Sequence, residues 1–214
     1  MKYQEVKGNL IEHALSGSFD VIAHGCNCFC VQGAGIAKQM SKTFLTNTGE
    51  YHWFYKENKL FVGDIIKLGT IEYENFFVIK YLENITNTVL NHGTCVMRNY
   101  ESGGAFSKDY TIIKENLSVV NAYTQYQPGA NLDYEALTLC LRKINHIFKG
   151  KHIGLPKLGC GIAGGIWDLD EYLIASGTDF VKWKNHKNKG FNDVKTIIQE
   201  ELKDCNVTIV IYDE

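Results

Sequence analysis

The sequence predicts an α/β fold, and three observations carry the prediction. Apolar runs of strand length recur along the chain, stretches of helical period lie between several of them, and glycine-containing loops follow two of the runs. The strand-length runs are 19–23, 61–68, 76–82, 117–123, 152–155 and 207–212. Residues 132–148 read as a helix, because Leu137, Leu141, Ile144 and Ile147 recur at helical spacing, Asp133 stands where an N-cap would, and Gly150 closes the segment. Residues 192–202 repeat the pattern through Val194, Ile197, Ile198 and Leu202 before the terminal run. In such a fold a ligand lies beyond the carboxyl ends of the strands.

Composition bounds the rest. At 214 residues, 45% hydrophobic and 12% aromatic, the chain matches one domain with a sizeable core. Pro128 and Pro156 are its only prolines, and it has neither an internal repeat nor a linker, so residues 1–214 are expected to form a single domain. The charges nearly cancel, 22 Lys and Arg against 24 Asp and Glu, which makes nucleic acid an unfavoured partner. No apolar stretch is long enough to span a bilayer and the first residues lack a signal core, so the expectation is a cytoplasmic protein without a membrane partner. Seven scattered cysteines suit reduced thiols better than a disulfide framework.

The two loops carry the chemistry. Gly33, Ala34, Gly35, Ile36 and Ala37 follow the run VIAHGCN, and Gly159, Cys160, Gly161, Ile162, Ala163, Gly164 and Gly165 follow HIGLPKL. Glycine permits a close backbone approach, and a helix start beyond it offers free N–H groups to an anionic oxygen, so the pair suits a diphosphate gripped from both sides. Each loop alone reads equally well as a tight turn. Gly159, Gly161 and Gly164 also spell a dinucleotide-binding fingerprint, but too little chain follows to build that half of a Rossmann fold. Cys26, Cys28 and Cys30 alternate, and with His24 they suggest zinc; their spacing is wrong for it, and small packing or loop residues is the better reading. His24 and Asn27 end an apolar run beside a glycine loop, where a substrate would lie, although a satisfied structural histidine reads at least as well for His24.

Taken in order, GNLIEHAL, VIAHGCN, GAGIAKQM, VVNAYTQY and LPKLGCGIAGGIW resemble the macrodomain family, on the branch that processes ADP-ribose 1''-phosphate and includes small bacteriophage proteins. The resemblance spans most of the chain. It implies a three-layer α/β/α fold with a mixed central sheet and a cleft across the strand ends. It places Asn9, Leu10 and Ile11 beside the adenine, with Asn9 where many relatives carry aspartate. Asn27 would meet the distal ribose, and Gly33, Ala34, Gly35 and Ile36 would line the ribose and phosphates. Gly159, Cys160, Gly161, Ile162, Ala163 and Gly164 would hold the diphosphate, Asn121, Ala122 and Tyr123 would lie along the cleft, and Cys26 and Leu158 flank these segments.

The implied function is binding of ADP-ribose, an NAD-derived metabolite, with hydrolysis of ADP-ribose 1''-phosphate to ADP-ribose and phosphate. His24 and Asn27 would be the residues of the chemistry, and no cofactor or metal is needed. A non-catalytic module that binds ADP-ribose or a related signalling nucleotide is the rival reading. ADP-ribosyl hydrolysis is a third, weakened by Ala163 standing where the glycohydrolases place an aspartate. Residues 168–191 read as an insertion carrying Lys182, Lys184, Lys187 and Lys189 with Trp183 and His186. A solvated loop is the favoured reading of it over a mobile lid.

Overall fold

Residues 21–27, VIAHGCN, are buried almost throughout, as a strand covered on both faces must be. The computed structural model describes residues 2–44, 46, 65–81, 94–98, 110–176 and 192–212. Along them run β1 (Tyr3–Lys7), α1 (Leu10–Leu15), β2 (Val21–Asn27), α2 (Gly35–Phe44), β3 (Ile71–Tyr81), β4 (Thr94–Arg98) and β5 (Tyr110–Gln125). They are followed by α3 (Tyr134–Ile147), β6 (His152–Leu155), α4 (Leu169–Ser176), α5 (Val194–Glu201) and β7 (Asn206–Ile211). The strands form a seven-stranded sheet in the order β1-β7-β6-β2-β5-β3-β4. Neighbours from β1 to β5 pair in parallel, and β3 pairs antiparallel with both β5 and β4, so the sheet is mixed.

The side-chain alternation of β2 assigns its neighbours to two layers. Val21 and Ala23 join Leu137, Leu141 and Ile144 of α3 and Val194, Ile197 and Ile198 of α5 in one core, and Ile22 joins Leu10, Ile11 and Ala14 of α1 and Met40 and Phe44 of α2 in the other. Each fully buried aliphatic side chain stabilises such a core by about 1.5–3 kcal/mol. The result is a three-layer α/β/α fold around a mixed central sheet, as expected.

The helix at 132–148 appears as α3, with the Asp133 side chain accepting from Ala136 N at 2.9 Å, and the helix at 192–202 appears as α5, capped by Asp193. One expected strand is different. In the run 61–68, residues 61–64 lie outside the described residues, and Ile65–Lys67 forms a 3-10 turn that feeds β3. Ile66 there is largely exposed, so the apolar run does not mark a buried strand.

Residues 166–168 lead into α4, and the chain returns beside its own departure. Val194 N donates to Ile166 O and Lys195 N to Trp167 O, each at 3.0 Å. The segment expected as an insertion thus leaves and rejoins the fold at one place. Lys182, Trp183, Lys184, His186, Lys187 and Lys189 lie outside the described residues. No helix among the described residues is long and apolar enough to cross a membrane.

Candidate functional site

The carboxyl ends of β2, β5, β6 and β7 lie on one side of the sheet, and the chain leaving each of them walls a cleft of about 670 Å³. β2 contributes Gly25 and Asn27, the end of β5 contributes Gln125, and the end of β7 contributes Ile211 and Tyr212. The first glycine loop lines the cleft with Gly33, Ala34, Gly35 and Ile36, and the second with Gly159, Cys160, Gly161, Ile162 and Ala163. Both loops expected from the sequence therefore face one space. They also approach each other, since a Cβ placed on Gly35 would lie 3.7 Å from Ile162 Cδ1.

Local hydrogen bonds explain the loop shapes. Asn27 Oδ1 accepts from Phe29 N and Val31 N at 3.1 Å each, and its Nδ2 donates to Val31 O at 2.9 Å, so this side chain holds the turn between β2 and the first loop. The second Nδ2 proton has no acceptor among the described residues. In the second loop Cys160 N donates to Lys157 O, Gly164 N to Gly161 O and Gly165 N to Gly159 O, which folds the backbone back on itself. Gly159 sits at φ +72°, a conformation that favours glycine, and a Cβ there would lie 2.7 Å from Leu132 Cδ1 and oblige that side chain to move.

The N–H groups of Gly161, Ile162 and Ala163 have no acceptor among the described residues, and they are consecutive in the cleft wall. Across from them α2 begins at Gly35, without an acidic residue in its first turn. A helix N-terminus and a run of backbone donors both carry partial positive charge, so the cleft is polarised for an anion.

Other residues nominated by the sequence lie elsewhere. His24 is fully buried, and its Nε2 lies 2.7 Å from Asn121 Oδ1; with the amide oxygen accepting, Nε2 carries the proton. Burial lowers its pKa from 6.5 to about 4, against the opposing pull of the Asn121 hydrogen bond. The structure thus places His24, expected as a catalytic residue, as a neutral core histidine paired with Asn121, and its side chain does not line the cleft. Strand alternation is the reason, because His24 and Cys26 point to the face of β2 opposite Gly25 and Asn27.

Asn121, Ala122, Tyr123 and Leu158 are likewise buried in the sheet or beneath the loop and do not line the cleft. Gly164 turns toward Ala130. Asn9 caps α1, its Oδ1 accepting from Ile11 N at 2.9 Å, while Leu10 and Ile11 are buried; the trio stands one step behind the wall, where Gly8 N donates to Ile211 O. Cys26, Cys28 and Cys30 pack against Tyr123. No group of three metal-ligating side chains is gathered among the described residues.

The sequence reading missed Val31, Gln125, Lys157 and Tyr212, all in the lining. Only the position of Lys157 just ahead of the second loop carried a signal.

No family model matches the chain. It is 31% identical over 176 residues to the uncharacterized 17.5 kDa protein of the tk-vs intergenic region of Enterobacteria phage T4, covering 79% of this chain and 85% of that protein. The chain belongs to the family of that phage protein. Solved structures from other organisms share the fold of this chain. A protein of unknown function from Bacteroides thetaiotaomicron matches with a TM-score of 0.51 at 21% identity, over 99% of this chain and 98% of that one. Thermosipho africanus DarTG, in complex with ADP-ribose, matches with a TM-score of 0.53 at 13% identity, over 99% of this chain and 42% of that one.

Proposed function

We propose that this chain is a macrodomain whose cleft binds ADP-ribose. The observation that carries the reading is the pair of facing donors, the unpartnered N–H run 161–163 and the start of α2, across a space suited to a diphosphate. The volume of about 670 Å³ falls within the roughly 300–1,000 Å³ of small-molecule sites. In the lining, Tyr212, 62% exposed, offers an aromatic face to a nucleobase, and Asn27 keeps one amide proton for a ribose hydroxyl. The shared fold of DarTG, solved in complex with ADP-ribose, supports the same ligand.

Binding without turnover is the form of the reading that the geometry favours. Hydrolysis of ADP-ribose 1''-phosphate needs a group to move a proton. The described lining holds no carboxylate or imidazole, and His24 has no path to it. Ala163, whose carbonyl accepts from Leu132 N, offers only a methyl group to ADP-ribosyl hydrolysis.

Calorimetry with ADP-ribose tests the reading. A Cβ on Gly161 would meet nothing within 4 Å, so Gly161→Glu is expected to fold while placing a carboxylate in the phosphate path. Affinity should fall by at least roughly 100-fold through repulsion and lost donors. Equal affinity of two folded proteins would remove the second loop from the site. Phosphate release from ADP-ribose 1''-phosphate, measured alongside, should stay at background; turnover would establish the enzyme instead.

A further inference from the structure

Backbone donors carry only partial charge, whereas a diphosphate carries nearly two full negative charges, so a site built from N–H groups alone is under-compensated. Lys157 is the one charged side chain in the described lining of the cleft. It follows Pro156 at the end of β6, immediately before the second loop, and its carbonyl is the acceptor that turns that loop at Cys160 N. Its ammonium lies 5.5 Å from the centroid of the Trp167 ring, within the reach of a cation–π contact, and it makes no ion pair or hydrogen bond among the described residues.

Trp167 is a firm support. It is largely buried, it packs in the core formed by α3 and α5, and its carbonyl accepts from Lys195 N. The aromatic face restricts the lysine without neutralising it, so the charge remains available to a ligand. The charge is felt at the loop itself: burial raises the Cys160 thiol to about 12, and Lys157 pulls in the opposite direction. A partly buried cation without a carboxylate, beside an N–H run without an acceptor, has no counter-ion among the described residues.

We propose that Lys157, held against Trp167, supplies the full positive charge that pairs with the ligand's phosphates and makes the cleft selective for a diphosphate over an uncharged nucleoside. The inference rests on the ADP-ribose reading for the identity of the ligand, though not for its anionic chemistry. Lys157 is a binding and specificity residue here; no proton transfer is assigned to it.

The test is titration of wild type, Lys157→Gln and Lys157→Arg with ADP-ribose and with inorganic pyrophosphate, at about 50 mM and about 500 mM salt. At low salt Lys157→Gln should bind ADP-ribose roughly 5–30-fold more weakly than wild type, and the gap should narrow at high salt. Lys157→Arg should retain most of the affinity, which loss of packing alone would not predict. Wild-type affinity for Lys157→Gln at both salt levels overturns the inference and leaves the ADP-ribose reading standing. Lysine-dependent binding of pyrophosphate with no response to ADP-ribose supports the anion site and overturns the nucleotide reading. Absence of binding to either ligand overturns both.

Discussion

At pH 7 the His24 imidazole is neutral, because full burial leaves a charged ring without water and Asn121 supplies one acceptor for its single proton. An unfolded chain binds that proton near pH 6.5, whereas the folded one binds it only near 4. Between those values the unfolded state holds more protons, so stability rises with pH across the window and is lost as pH falls through it. The shift from 6.5 to about 4 corresponds to about 3 kcal/mol. Urea unfolding at pH 7 and at about pH 4.5 should show the wild type losing more stability than His24→Asn. Identical losses would mean that other groups govern the acid response. The same residue shows how far the site was legible in the sequence. The glycine loops could be read because their residue type is itself the signal. His24 lay close to them in sequence, yet the two-residue period of a strand places it and Asn27, three positions apart, on opposite faces. Tyr212 and Gln125 carried no local mark, since strands paired from distant parts of the chain bring them to the cleft.

Among the elements, those with a strong apolar period and a capping side chain were the ones the sequence revealed. α3 has both: Leu137, Leu141 and Ile144 are fully buried, and Asp133 receives Ala136 N while its own N–H donates to Thr124 O. Asp133→Ala removes the cap and should destabilise the protein by about 1 kcal/mol, measured as a shift in the urea midpoint. An unchanged midpoint would show that α3 is held by packing alone. β1 lacked such a signal because YQEVK alternates weakly and only part of its surface is covered, as befits an edge. β3 is longer than its apolar run suggests: residues 71–74, IEYE, alternate apolar with charged side chains, and pairing with β5 from Ile71 onward extends the strand.

For the whole molecule, the joined ends of the excursion between Trp167 and Val194 make a strong statement about tolerance. The two backbone hydrogen bonds there are made by residues outside 169–191, and Asp193 caps α5 through Oδ1 on Thr196 N while its Oδ2 accepts from Leu169 N. Replacing residues 169–191 with a short glycine-containing turn should leave the sheet, α3 and α5 in place, since closing a shorter loop costs less entropy. The buried side chain of Leu169 would be lost, so a decrease of about 1–2 kcal/mol in unfolding free energy is expected. Circular dichroism with a melting curve checks this, and failure to fold would show that the excursion is part of the core.

The place of β7 in the sheet has a consequence for how the chain is made. It is the last of the described strands in chain order, yet it sits inside the sheet, between β1 and β6. Among the described strands β1 pairs with β7, so during synthesis it exposes a row of unsatisfied amides until the residues of β7 have been made. Glu5 and Lys7, with the partly exposed, polar character of the strand, fit that interval: they place opposite charges along an orphan edge and discourage it from pairing with the same edge of another nascent chain.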